Sequence, residues 1–281
     1  MLTISQLKDV FSGYGFTPLK RLGENYLVDT NIKDKIIAEA RIGRGDTVLE
    51  IGPGLGALTI DLAKTGARVC AVDKDKKAVA ILRDLAGGDH PNLKILNGDI
   101  LSFDIGEIAA GKKIKVVGNL PYYITTPVLE HLIKHRASIE SILVTVQKEV
   151  AGRLMASPGE DDYGAISCFV QYYMSPTYLH TIKRNSFYPV PGVDSALMRL
   201  DVREQPPVSV ADEAIFFRIV RGAFNQRRKV ILNSLSRKGV LNISKKRLQE
   251  VLAENGISAD SRPERLALSD FAAISDAFSG W

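Results

Sequence analysis

The stretch TVLEIGPGLGALTIDLAK, Thr47 to Lys64, decides the fold. Its first five residues, Thr47 to Ile51, are β-rich. Gly52, Pro53, Gly54 and Gly56 follow at once, and a helical period takes over from Leu58 to Lys64. A strand that breaks on glycines before a helix lets a ligand approach the backbone at the carboxyl edge of an open α/β sheet, where such sheets bind their ligands. The next β-rich run, Arg68 to Asp73 (RVCAVD), ends on Asp73, 21 residues after Gly52. A carboxylate at that point accepts hydrogen bonds from ribose hydroxyls. A third run, Leu93 to Leu96, is followed by Asp99, well placed to meet the amino group of an adenine.

Outward from this stretch, further β-rich runs occur at Lys113 to Gly118 and Ile142 to Val146. Helix-period stretches run from Asn31 to Ala40, Lys76 to Leu85 and Thr126 to His135. The alternation predicts a mostly parallel sheet covered on both faces. Phe169 to Tyr173 and Ala196 to Val202 are expected to add antiparallel strands. Arg203 to Ser209 (REQPPVS) carries paired prolines and reads as a linker. Beyond it Ala211 to Ala223, Lys229 to Ser236, Lys245 to Glu254 and Leu268 to Phe278 have helical character. The expected architecture is α/β, with a Rossmann-like sheet over residues 1–202, a linker over 203–209 and a small helical domain over 210–281.

The 281 residues are 45% hydrophobic and 25% charged, an ordinary globular composition that excludes a disordered or fibrous chain. No stretch approaches the ~20 apolar residues that span a bilayer. Met1 to Asn25 intersperses Lys8, Asp9, Lys20 and Glu24 among its apolar residues and lacks the apolar core of a secretory signal. Two cysteines, Cys70 and Cys168, are too few for a disulfide framework or a zinc site, so a reducing, cytoplasmic setting without a membrane partner is expected. The net charge of +5 is concentrated. From Ala214 to Gln249 there are ten basic residues, among them Arg218, Arg221, Arg227, Arg228 and Lys229, and no acidic one, which marks a polyanion-binding segment.

After the fourth run comes Asn119-Leu120-Pro121-Tyr122. The lone pair of adenine N6 is delocalised into its ring, so the amine is a poor nucleophile until acceptors polarise its hydrogens. The Asn119 side-chain oxygen is one acceptor and the Leu120 carbonyl the other. Pro121 restricts Leu120 to an extended conformation and so fixes where that carbonyl points. Tyr122 offers a face for a base drawn out of its stack. Phe187, in the proline-stiffened Phe187 to Pro191 (FYPVP), is expected to cover the second face. Phe224 to Lys229 (FNQRRK) gathers Arg227, Arg228 and Lys229 where phosphates would bind.

The glycine turn departs from the dinucleotide pattern G-x-G-x-x-G: its third glycine, Gly56, falls one residue early and Ala57 takes the expected place. A G-x-G-x-G turn with acids after strands two and three resembles the S-adenosylmethionine methyltransferases. Read in order, Gly23 to Leu27 (GENYL), Glu50 to Gly56 (EIGPGLG), Asn119 to Tyr122 (NLPY), Gln147 to Val150 (QKEV), Tyr163-Gly164, Phe187 to Ser195 (FYPVPGVDS), Phe224 to Lys229 and Arg262 to Glu264 (RPE) resemble the ribosomal RNA adenine dimethyltransferase family in its bacterial small-subunit branch. The likeness spans about Leu22 to Phe271. It implies a class I methyltransferase sheet and S-adenosylmethionine as methyl donor. The substrate it implies is small-subunit RNA within an assembling subunit, dimethylated at N6 of two adjacent adenosines in the 3′-terminal hairpin loop. By position it implies cofactor binding by Asn25, Leu27, Gly52, Gly54, Asp73, Asp99 and Asn119, and a target-base site at Asn119 to Tyr122. Two residues depart from the family: Glu24 stands where Gln is usual, and Asp73 where Glu is commoner. Nothing in the sequence demands more than a monomer.

Three other readings account for less. An NAD-dependent oxidoreductase leaves Asn119 to Tyr122 without a role. The related large-subunit enzymes of macrolide resistance fit Leu120, Val193 to Ser195 and the basic tail less well. A non-catalytic RNA-binding protein on the same fold would have no need to keep both the glycine turn and Asn119 to Tyr122. No metal site is expected: His131 and His135 have helical spacing, but Leu132 stands where the zinc motif has Glu.

Overall fold

After a two-residue strand β1 (Tyr26–Leu27), the run Thr47–Ile51 forms β2, buried at all five positions. Continuous burial is what a central parallel strand requires, since helices cover both of its faces. The strands that follow are β3 (Arg68–Asp73), β4 (Leu93–Asn97), β5 (Ile114–Asn119), β6 (Ile139–Gln147), β7 (Met174–Ile182), β8 (Phe187–Tyr188) and β9 (Ser195–Val202). The computed structural model describes residues 1–17, 25–88, 90–226, 229–237, 239–241 and 243–278. The chain divides into two units, Met1–Ala151 with Thr177–Val202, and Gly152–Pro176 with Arg203–Trp281.

In the first unit the large sheet has the order β4-β3-β2-β5-β6-β9-β7, and β1 pairs separately with β8. The pairs β4–β3, β3–β2, β2–β5 and β5–β6 are parallel, and β9 joins β6 antiparallel. From β2 the chain adds strands on one side through β3 and β4, then returns to β2's other side with β5. That reversal lies between β2 and β5, the place where an open α/β sheet leaves a crevice. Register sets the crevice: Ile51 lies beside Val72 and Gly118, so Gly52, Asp73 and Asn119 follow level at one edge.

Helices α1 (Ile4–Gly13), α2 (Thr30–Ala40), α3 (Thr59–Lys64), α4 (Lys76–Ala86), α5 (Ile105–Ala109) and α6 (Thr125–Lys134) belong to this unit. Asp29 and Asp75 cap α2 and α4, each accepting from two backbone N–H groups. One core cluster joins Val48, Val69, Val117, Leu143 and Leu197 to Leu58 and Leu62 from the segment after the glycine turn. A second places Leu7, Phe16, Tyr26, Leu55, Ala78 and Ile81 together, so α1 packs beside that turn. The turn itself needs glycine: Gly56 has φ +84°, and a Cβ there would lie 2.5 Å from Leu82 Cδ1.

Helix α7 (Lys148–Met155) carries the chain across the unit boundary at Ala151–Gly152. The second unit holds α8 (Ala165–Tyr173), α9 (Glu213–Phe224), α10 (Ile231–Leu235), α11 (Lys245–Glu254) and α12 (Leu268–Asp276). Here two expectations differ from the structure. Phe169 to Tyr173 is the end of a helix, not a strand. Nine apolar-rich residues satisfy either period, and the Ser167 hydroxyl decides locally: it accepts from the Gly164 N–H and donates to the Arg153 carbonyl. Gly152–Pro176, expected with the sheet, is grouped with the C-terminal helices. Phe169, Tyr172 and Tyr173 pack against Phe216 and Phe217 of α9, and Glu213 accepts from the Tyr173 hydroxyl at 2.6 Å. Arg203, the first residue of the expected linker, donates to the carbonyls of Gln171 and Met174.

Candidate active site

The crevice at the carboxyl ends of β2, β3, β4 and β5 is a cleft within the first unit, and the residues around it include Asn25, Leu27, Gly52, Gly54, Asp73, Asp99, Asn119, Leu120, Pro121, Tyr122 and Phe187. Every cofactor and target-base residue expected from the sequence is therefore brought to one place. Glu24 lies outside the described residues.

The glycine turn and the first acid are built as one piece. Gly52 N–H donates to the Val72 carbonyl at 2.9 Å, and Gly54 N–H donates to Asp73 Oδ2 at 3.0 Å. Asp73 Oδ1 accepts from Asp75 N–H at 2.9 Å. A carboxylate has about four lone-pair positions, so Asp73 keeps acceptor capacity beyond these two bonds. Burial raises its pKa, and the backbone donors of Asp75 and Gly54 hold the rise back. A Cβ on Gly54, at φ +55°, would meet the Tyr26 ring at 3.0 Å, so β1 walls this cradle closely.

Asp99 caps the 3-10 turn Ile100–Ser102 through Leu101 N–H at 3.1 Å, and its Oδ2 takes the Lys74 ammonium at 2.8 Å. The Lys74 bond holds the Asp99 carboxyl below its ordinary range. Asn119 ends β5, and its Nδ2 donates to the Asn25 carbonyl at 3.0 Å. That bond fixes the sense of the amide: the nitrogen is engaged with Asn25, and Oδ1 is the acceptor left for a ligand. Leu120 N–H donates to the Thr145 carbonyl at 3.3 Å, and the Leu120 side chain is buried. Tyr122 is half-buried, with its hydroxyl 2.7 Å from Ser195 Oγ. Phe187 borders the cleft, pairs with Leu27 across β8 and β1, and is 2% exposed within the core.

Sequence reasoning passed over two cleft residues. Glu50 is 2% exposed, and its Oε2 has no hydrogen-bond partner among the described residues. Burial pushes its pKa up to about 8; the nearby Thr59 hydroxyl, outside hydrogen-bonding geometry, offsets this in part, and the Asp73 carboxylate adds to it. The signal was a lone carboxylate inside an otherwise buried strand. Tyr123 stands 51% exposed on the rim, a large aromatic surface beside Tyr122.

In the second unit Arg221 and Lys229 are exposed, as is Arg218. Arg218, Arg221 and Asn225 border a shallow groove along α9 over Gly222 and Val240. Arg227 and Arg228 lie outside the described residues. Among the described residues no group of three His, Cys, Asp or Glu side chains is placed to hold a metal ion. The rings of His131 and His135 lie 4.5 Å apart, with His131 Nε2 on the Phe103 carbonyl and His135 Nδ1 on the His131 carbonyl.

The profile of the ribosomal RNA adenine dimethylase family matches residues 15–277. The ribosomal RNA small subunit methyltransferase A of Moorella thermoacetica is 47% identical over 271 residues, 93% of this chain and 92% of its own. Among solved structures, a dimethyladenosine transferase from Plasmodium falciparum matches with a TM-score of 0.75 at 27% identity, covering 89% of this chain and 95% of that one. The 23S rRNA methyltransferase ErmE matches with a TM-score of 0.67 at 26% identity, covering 89% of this chain and 98% of its own.

Proposed function

The chain belongs to the ribosomal RNA adenine dimethylase family, and from that premise we propose that it transfers methyl groups from S-adenosylmethionine to N6 of two adjacent adenosines in the 3′-terminal hairpin loop of small-subunit rRNA. The observation that carries this reading is the Asn119 amide, tied by its nitrogen to the Asn25 carbonyl so that Oδ1 is presented as an acceptor. The much higher identity to a small-subunit enzyme than to the 23S enzyme favours the small subunit as target.

S-adenosylmethionine, when bound, supplies an electrophilic methyl group on a sulfonium. The residues present suit it: a glycine cradle too close to Tyr26 for a side chain, Asp73 held by two backbone donors for the ribose, and Asp99 for the adenine amine. The protein's own work is placement. Asn119 Oδ1 and the Leu120 carbonyl accept the two hydrogens of the target amine, which returns electron density to nitrogen and aims its lone pair. Tyr122 supplies a face for the extruded base; Phe187, expected to cover the second face, is buried in the core and offers no open face, so it backs the cleft from behind. As the nitrogen takes the methyl group the carbon–sulfur bond to the donor would break; the nitrogen becomes cationic and loses a proton readily, so no strong base is required. Holding the two reactants in line is worth several kcal/mol, on the order of 7–11 in the best intramolecular cases. The exposed cations Arg221 and Lys229 of the second unit take phosphates of the RNA, and the sequence run Phe224 to Lys229 adds Arg227 and Arg228, which lie outside the described residues. The substrate is the assembling small subunit, met by a monomer in the cytoplasm; no helix among the described residues is long and apolar enough to cross a membrane.

The test is to incubate the protein with labelled S-adenosylmethionine and unmethylated small subunits, large subunits or naked RNA. Dimethyladenosine at two adjacent small-subunit positions, reduced about 100-fold or more in Asn119→Ala, is the expected result. Label confined to large-subunit RNA would move the target, and no label in any RNA would sink the enzymatic reading.

A further inference from the structure

Tyr122 sits in a 3-10 turn, Tyr122–Ile124, that has no side-chain cap at its start. Restraints on this turn include a backbone bond from Ile124 N–H to the Pro121 carbonyl, a long contact of Thr125 Oγ1 with the same carbonyl, and the Tyr122 hydroxyl's 2.7 Å bond to Ser195 Oγ. Of these the last alone acts on the tyrosine ring. The backbone bonds set where the turn begins; the hydroxyl bond sets where the ring points.

Ser195 is unusually well anchored for a residue at the end of a loop. It is fully buried and opens β9, opposite Gln147 of β6. Its neighbour Asp194 is tied three ways: its carbonyl accepts from Lys148 N–H at 3.1 Å, Oδ1 from Arg184 N–H at 3.0 Å, and Oδ2 from the Lys183 ammonium at 2.9 Å. The loop that ends at Ser195 leaves β8, whose Phe187 borders the cleft from within the core. A hydroxyl on a fixed strand thus holds the Tyr122 ring at the cleft.

We infer that Ser195 is a positioning residue: resting on the reading of Asn119 to Tyr122 as the target-base site, its hydroxyl bond to Tyr122 holds the tyrosine ring as the wall on which the base lies. Ser195 itself does not line the cleft, so its effect passes through Tyr122. Free to turn, the ring would let the base sit in several poses, and a displacement of even 1 Å from the line of attack is costly, about 100-fold in documented cases.

Methylation of unmethylated small subunits at saturating S-adenosylmethionine tests this. Tyr122→Phe and Ser195→Ala each delete one end of the bond while keeping the ring and the strand. Each is expected to lower kcat about 10-fold and to leave KM for S-adenosylmethionine within about 2-fold. The double variant should lose about 10-fold and not 100-fold, because one bond is lost once. Ser195→Thr, which restores a hydroxyl, should recover most of the rate. A hairpin RNA with 2-aminopurine at the target position supplies a readout without turnover: stacking quenches its fluorescence, and both single variants should quench less at full RNA occupancy. Losses that multiply in the double variant, wild-type kcat and quenching in both single variants, or weakened cofactor binding that tracks the loss of rate would each overturn the inference while Tyr122→Ala still abolished activity. A wild-type protein that methylates no RNA would instead remove the reading on which the inference rests, and the inference with it.

Discussion

Glu50 shows how one residue can be structurally expensive at the centre of a working site. It occupies the fourth position of β2, buried, with one carboxylate oxygen unpartnered. Its folded pKa, pushed up to about 8 from 4.5, means that the native state keeps a proton that the unfolded chain releases. Stability contributed by the neutral form is therefore complete below about pH 4.5 and is lost as pH rises through about 8. Glu50→Gln removes the titration. Relative to wild type the variant should gain stability steadily between pH 5 and pH 8, by a few kcal/mol in total since each pKa unit is worth about 1.4. Urea unfolding at pH 5, 7 and 9 measures this, and parallel behaviour of the two proteins would refute it. Asp73 and Asp99 were legible in the sequence because their spacing from the glycines carries the information. Glu50 was not, because its environment depends on the strands placed at either side of it.

At the scale of elements, periodicity revealed β2 to β6 and the helices α2, α3, α4 and α6, though not the short α5, since a buried parallel strand and an amphipathic helix write different patterns. It failed at α8, where a short apolar run fits both. The aromatic partners of α8, Phe216 and Phe217, lie more than 40 residues later, beyond any local pattern. Close approach between elements is equally invisible until the backbone is placed. Gly222 sits inside α9, where glycine costs helix stability, roughly 1 kcal/mol against alanine. The reason is Val240: a Cβ on Gly222 would lie 2.3 Å from its Cγ1. Gly222→Ala is expected to destabilise the second unit by about 2 kcal/mol through overpacking, despite the better helix former. Val240→Ala in the same chain should return most of that loss. Thermal unfolding of the single and double variants decides it; a Gly222→Ala protein as stable as wild type would show that the turn at 239–240 yields freely.

At the scale of the whole molecule, charge is divided between the two units. The basic stretch that the sequence marked lies in the second unit, while the chemistry-bearing residues all lie in the first. Arg218 and Arg221, three apart on α9, are exposed and form no ion pair among the described residues. Exchanging both for Glu should weaken binding to small subunits about 10-fold or more at low salt, flatten the dependence of affinity on salt by about two counterions, and leave the Kd for S-adenosylmethionine unchanged. An unchanged salt slope would take RNA off this face of α9. The sheet order has a consequence of its own. Strand β7 is synthesised before β9, yet its sole neighbour in the sheet is β9, which lies between it and β6. A nascent chain that has emerged only as far as the Phe187 loop therefore holds a nine-residue strand whose native partner is not yet made. The strands whose ends border the cleft, β2 to β5, are already complete by then, but the sheet closes only when β9 slides in beside β6. Vectorial synthesis thus leaves this sheet open beside β6 until β9 has emerged, and a stall between residues 182 and 195 would leave a chain whose glycine turn is built and whose Tyr122 has no Ser195 to bond.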